Sequence, residues 1–274
     1  MVTQPCQTQP RQTQPRQTAS ALPPETAPPP PSVVYPSSDG KPLAESYIHL
    51  YAIIVTLEVL RQHLKGQRAT VLADQFLYYA QGLPRLRVAP DVMVIQNVEP
   101  GGRDNYKIWE EGEVPAVIFE ITSPGTARHD ETFKYTLYEQ LGVQEYWLFD
   151  PKSEWIPEQL RGYRLHREVY EPITDGRSAV LNLRLQADGE IIAFYQEDTG
   201  EKLLIPDELW DLVEQERQRA QAERQRADEA ERSRQSAIPK LQALGLSAEQ
   251  IAEALSLQLT EVQQYMTQAN DAAD

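Results

Sequence analysis

The chain has 274 residues, 41% of them hydrophobic, with 26 Lys plus Arg against 41 Asp plus Glu and a net charge of −15. That length carries one domain with appendages rather than two large domains, and the acidic balance excludes tight non-specific binding to nucleic acid unless a local basic patch or bound cations offset it. The single cysteine, Cys6, excludes an intrachain disulfide and a cysteine-based zinc site, and fits a reducing, cytoplasmic setting.

Residues 1–31 are rich in Gln, Thr, Pro and Arg, with QTQPR occurring twice from Gln7 to Arg16 and a proline run at Pro28 to Pro31. Such a segment buries too little apolar surface to offset its chain entropy, so a disordered tail is expected. Nothing at the start resembles the apolar core of a signal peptide. The most apolar run, Tyr47 to Leu60, is interrupted by His49, Thr56 and Glu58 and is too short and polar to span a bilayer, so no membrane segment is expected.

A globular unit is expected over 32–206. It opens with a helix from Pro42 to Lys65, which has apolar residues at helical spacing and no internal Gly or Pro. Short β runs follow at Thr70–Leu72 and Gln75–Ala80. Leu86–Ile95 reads as one strand with a proline near its centre. Ala116–Thr122 (AVIFEIT) is apolar enough to be a central strand buried on both faces. A helix over Thr126–Leu141 and a buried strand at Glu145–Phe149 complete the core. GYRLHREVYEPI and AVLNLRLQADGEIIAFY then read as short strands, with a hairpin turn at Asp188–Gly189. The order predicts a mixed α/β core with a small antiparallel, β-rich extension.

Beyond Pro206 the composition changes. Asp207 to Gln235 is charged, lacks Gly and Pro, and predicts one long solvated helix. Residues 207–236 therefore form a possible coiled-coil arm for a homodimer or a protein partner, although Ala220, Ala227 and Ala230 make a weak seam. Residues 237–274 predict a small helical unit with a turn at Gly245 and a helix cap at Ser247. It looks like a helix-turn-helix, yet 248–255 carries no Lys or Arg, which favours packing or protein contact over DNA reading.

Chemistry is concentrated in two acids. Asp91 follows Pro90 within an apolar strand, and Glu120 lies inside AVIFEIT, where a carboxylate is costly without a partner or a metal. Two carboxylates on adjacent strands make a minimal cradle for a hard divalent cation. The plainer readings are a turn-capping Asp91, a Glu120 ion pair with Lys134 or Arg128, a solvated Lys134, and a Glu45 that merely favours its helix N-terminus. Ser123 lacks a nucleophile-elbow context. His49, His63, His129 and His166 show no ligand spacing, although His49 can line a site from the first helix. The aromatic run EYWLFD reads as core.

The runs APDVMVI and VPAVIFEITSPGT, then Asp130, Lys134 and Tyr138, then GVQEYWLFDP, resemble the Uma-type family of restriction-endonuclease-like proteins over about residues 35–200. The resemblance implies the PD-(D/E)XK superfamily, a mixed central sheet flanked by helices, and cleavage of nucleic acid, with DNA favoured. It implies Asp91 and Glu120 as the two acids of the motif. With the Ile121 carbonyl, they would hold Mg²⁺ or Mn²⁺. The superfamily's lysine would fall at Thr122, which cannot do that job, so Lys134 is implied as the ammonium, supplied from the following helix. Glu45 matches a further acid of the metal site. The rival expectation keeps the fold without useful catalysis, as a binding or scaffold module. Thr122 and the net charge favour this rival; Asp91, Glu120 and Lys134 favour the enzyme. A weaker third reading is a transcription regulator built on the C-terminal helices.

Overall fold

The computed structural model describes residues 1, 33–40, 46–123 and 125–271, apart from the side chains of 268–271. The chain divides into two units, Met1–Tyr35 and Pro36–Asp274, and the second carries the architecture that follows. The expected disordered tail lies almost wholly outside the described residues.

Helix α1 spans Tyr47–His63, five residues short of the expected start at Pro42. Ser46 has extended backbone and its side chain accepts the His49 N–H at 3.3 Å, which is how an N-cap opens a helix. Ala52, Ile53, Val55, Val59 and Leu60 face the core. Strands β1 (Ala69–Ala73), β2 (Leu77–Tyr78), β3 (Arg87–Val88) and β4 (Val92–Gln96) follow, then β5 (Tyr106–Lys107) and the short α2 (Ile108–Glu111).

Leu86–Ile95 is therefore two strands rather than one. β3 pairs with β2 in a small sheet of order β3-β2-β5, whereas β4 pairs with β1. Pro90 brings no N–H to a ladder, and the break it imposes leaves its carbonyl to the Asp74 N–H at 3.1 Å. Asp91 stands at this break.

The next strand, β6 (Val117–Ile121), leads through α3 (Ala127–His129), a π-helical turn (Asp130–Lys134) and α4 (Tyr135–Leu141) to β7 (Glu145–Phe149). β6 and β7 are parallel, and every residue of both is buried. Then come β8 (Leu160–His166), β9 (Val169–Ile173), β10 (Arg177–Ser178), β11 (Leu183–Asp188) and β12 (Ile191–Gln196). The six-stranded central sheet has the order β1-β4-β6-β7-β8-β9, antiparallel apart from the β6–β7 pair. β8 and β9 thus widen the central sheet instead of joining the extension, which is confined to the β10-β11-β12 sheet. Arg167 and Glu168, at φ 49° and 73°, make the tight reversal between β8 and β9.

Side chains alternate across β6. Val117, Phe119 and Ile121 join the cluster beneath α1, with Trp147, Phe149 and Phe194. Ile118 lies in the opposite cluster with Tyr138, Tyr146 and Leu148. The two-residue period places Glu120 on that second face, under the helical run 127–141.

Helix α5 (Pro206–Ala243) is longer than the predicted segment and runs through Pro239. At 1.5 Å per residue, its 38 residues extend about 57 Å. Residues 210–234 are exposed throughout. α6 (Ala248–Leu255) and α7 (Leu259–Asp271) fold back to bury Ile251, Ala252 and Val262 with Ile238 of α5. Ser247 is the expected N-cap, and with Gln250 it forms a capping box. Among the described residues no helix is long and apolar enough to cross a membrane.

Candidate active site

Glu120 has no exposed surface, yet it is hydrogen-bonded at both oxygens. Lys134 Nζ donates to Oε2 at 2.7 Å, and the Tyr138 hydroxyl donates to Oε1 at 2.8 Å. Asp91 reaches the same place from the β3–β4 break. Its backbone N–H points at Glu120 Oε2 at 3.4 Å, and its Oδ2 accepts the Ile121 N–H at 2.7 Å. The side chain of Asp91 is 18% exposed, and His49 Nε2 of α1 is 3.8 Å from its Oδ1. The two strand acids and the helix lysine predicted from sequence therefore converge. Ile121 takes part through its N–H. Glu45 lies outside the described residues.

Two neighbours complete the group. Asp130, on the π turn, is 1% exposed, and Lys134 Nζ lies 3.0 Å from its Oδ1 as an ion pair without the alignment of a hydrogen bond. Tyr138, one turn beyond Lys134, is fully buried. At i, i+4 and i+8, Asp130, Lys134 and Tyr138 share one helix face, and docking of that face against the sheet is what buries Asp130. Thr122, at the position of the missing lysine, is buried with no hydrogen-bond partner for its hydroxyl. Thr126 stands at the N-cap position of α3 without a side-chain cap bond there; its Oγ1 accepts the Ser123 N–H at 3.2 Å. Glu145 and Asp150, at the ends of EYWLFD, are buried structural acids. Glu145 binds Ser178, Arg164 and the Ala179 N–H, and Asp150 accepts the N–H groups of Lys152, Trp155 and Ile156.

The electrostatics follow from the count of charges. Burial, with Asp91 and Asp130 adding to it and Lys134 pulling against it, leaves the Glu120 carboxyl pushed up to about 8. For Lys134, burial alone lowers the ammonium, but Glu120, Asp130 and Asp91 together raise it above its ordinary value, so it stays charged. Three carboxyl groups thus surround one ammonium in a water-poor pocket. A hard cation suits that imbalance and that oxygen donor set. Among the described residues no group of three or more His, Cys, Asp or Glu side chains stands at metal-binding spacing.

No curated protein matches the chain. A solved structure described as "a putative nuclease belonging to DUF820", from Anabaena variabilis ATCC 29413, aligns with 53% of this chain and 78% of its own, at 20% identity and a TM-score of 0.37. The model of the Uma2 family, described as "Putative restriction endonuclease", matches residues 33–185, more than half of the sequence. The chain belongs to that family.

Proposed function

We propose that the protein is a Mg²⁺- or Mn²⁺-dependent endonuclease that hydrolyses phosphodiester bonds of nucleic acid, with DNA the favoured substrate. The observation that supports this reading most is the meeting of Asp91, Glu120 and Lys134 from three separate segments, linked by contacts of 2.7 to 3.4 Å. Asp91 and Glu120, with the Ile121 carbonyl, would hold the cation. The cation would lower the pKa of a bound water and offset phosphate charge. The Ile121 N–H fixes the orientation of the Asp91 carboxylate through Oδ2, leaving Oδ1 3.8 Å from His49 Nε2. Tyr138 fixes Glu120 Oε1. Lys134, partly open to solvent at 11%, is the donor that meets a phosphate oxygen or orients water. The globular domain over 32–206 carries this site, in a reducing cytoplasm compatible with the lone Cys6. The exposed stretch of α5 within 207–236 is the surface for a second copy or a protein partner.

Supercoiled plasmid incubated with Mg²⁺ or Mn²⁺ should be nicked or linearised, and chelation should stop the reaction. Lys134→Met should lower the rate by about two orders of magnitude, the loss expected when a charge-stabilising donor is removed. Wild-type rates in that variant would rule out the role given to Lys134. The unpartnered Thr122 and the closed Lys134–Glu120 pair favour a second reading, a nuclease fold kept as a binding module. Metal-independent inertness on every nucleic acid would support that one.

A further inference from the structure

Asp130 is a charged side chain that the proposed reaction does not use. It is 1% exposed, and neither carboxylate oxygen has a hydrogen bond, although a buried carboxylate without one is costly. Its compensation is the Lys134 ammonium, 3.0 Å from Oδ1, and that ammonium already gives an aligned bond to Glu120 Oε2 at 2.7 Å. Lys134 thus stands between two buried acids, bound to one and beside the other. Both lie within reach of its flexible end, because Asp130 and Lys134 are four residues apart on the π turn.

A cation held by Glu120 needs the oxygen that Lys134 now occupies. An ammonium beside a divalent cation on one carboxylate is electrostatically unfavourable, and leaving it buried without a partner would be worse. We propose that Asp130 is the second seat for Lys134: when a divalent cation takes Glu120, the ammonium moves to Asp130 and is held there, charged, at the edge of the site. Asp130 is then a positioning residue. The inference rests on the metal-dependent reading of Asp91 and Glu120.

The test is nuclear magnetic resonance on the full chain carrying ¹³C- and ¹⁵N-labelled Lys, Asp and Glu, titrated with Mg²⁺ without nucleic acid. Without metal, the Lys134 Nζ should show its through-hydrogen-bond correlation to the Glu120 carboxylate carbon. At saturating Mg²⁺ that correlation should pass to the Asp130 carboxylate carbon, while the Asp91 and Glu120 carbons shift. In Asp130→Asn, Mg²⁺ affinity should fall at least tenfold, and Asp130→Glu should recover part of it. Shifts at Asp91 and Glu120 with Lys134 still correlated to Glu120 would overturn the handover alone. Unchanged Asp91 and Glu120 carbons would overturn the metal-dependent reading and the handover together. The wild-type titration decides the matter even if a variant fails to fold.

Discussion

Glu120 is held by an ammonium and a phenol inside a strand with no exposed surface, and its proton affinity is the most direct handle on the site. Its folded-state value of about 8 lies above the ordinary 4.5. The stability this group contributes is therefore fully present below about pH 4.5 and is lost as pH rises through 8. Metal-free protein should accordingly lose stability across that window, on the order of 1 kcal/mol per pH unit at the steepest. Urea unfolding at several pH values should show the slope in wild type and not in Glu120→Gln; equal slopes would contradict the assignment. Lys134→Met should cost about 3–5 kcal/mol at pH 8, because one buried charge is left unpaired. Without Lys134, which pulls Glu120 down, the Glu120 carboxyl should hold its proton to higher pH than in wild type, so the Glu120 part of the cost should change only as pH rises above 8, and chemical denaturation at pH 7 and pH 9 checks the difference. Asp91, Glu120 and Lys134 were legible in the sequence because acids inside apolar runs are conspicuous and the flanking motifs fix their order. Asp130 was not given a role, because a helix acid is ordinary until docking of the helix buries it.

At the scale of elements, the period-2 and period-3.6 patterns identified α1, β1, β6, β7 and the helical run 127–141, all of which the fold contains. What the pattern missed was local backbone chemistry. Pro90 splits one apolar run into strands of two sheets, and Ser46 starts α1 later than apolar spacing alone implied. β8 and β9 read as short strands of the β-rich extension because their alternation is half polar, yet β8 pairs with β7 through five residues and so belongs to the central sheet. The close fit at that pairing gives a further prediction. A Cβ on Gly162 would stand 2.5 Å from Trp147 Cζ3, so Gly162→Ala should destabilise the protein by about 1–3 kcal/mol through overpacking. Thermal unfolding measures this, and an unchanged midpoint would mean that β8 does not press on Trp147 as described.

At the scale of the molecule, a net charge of −15 governs the encounter with any phosphate backbone. Electrostatic repulsion falls as cations bind, so binding to a labelled DNA duplex should be weak in chelator and should strengthen as Mg²⁺ is added, followed by fluorescence anisotropy on Glu120→Gln and wild type. Strengthening in wild type alone would point to the Asp91–Glu120 site, whereas strengthening in both would reflect general screening. Tight binding in chelator would contradict the role given to charge. The long α5 follows the same logic: its charged surface keeps 210–234 in solvent, and apolar burial resumes only at Ile238.

The most direct measurement is calorimetric titration of Mg²⁺ or Mn²⁺ into wild type and Glu120→Gln, with plasmid cleavage followed in the same buffers. The account predicts binding and cleavage in wild type, and the loss of both in a variant that keeps its fold. Wild-type affinity and cleavage retained in Glu120→Gln would contradict it.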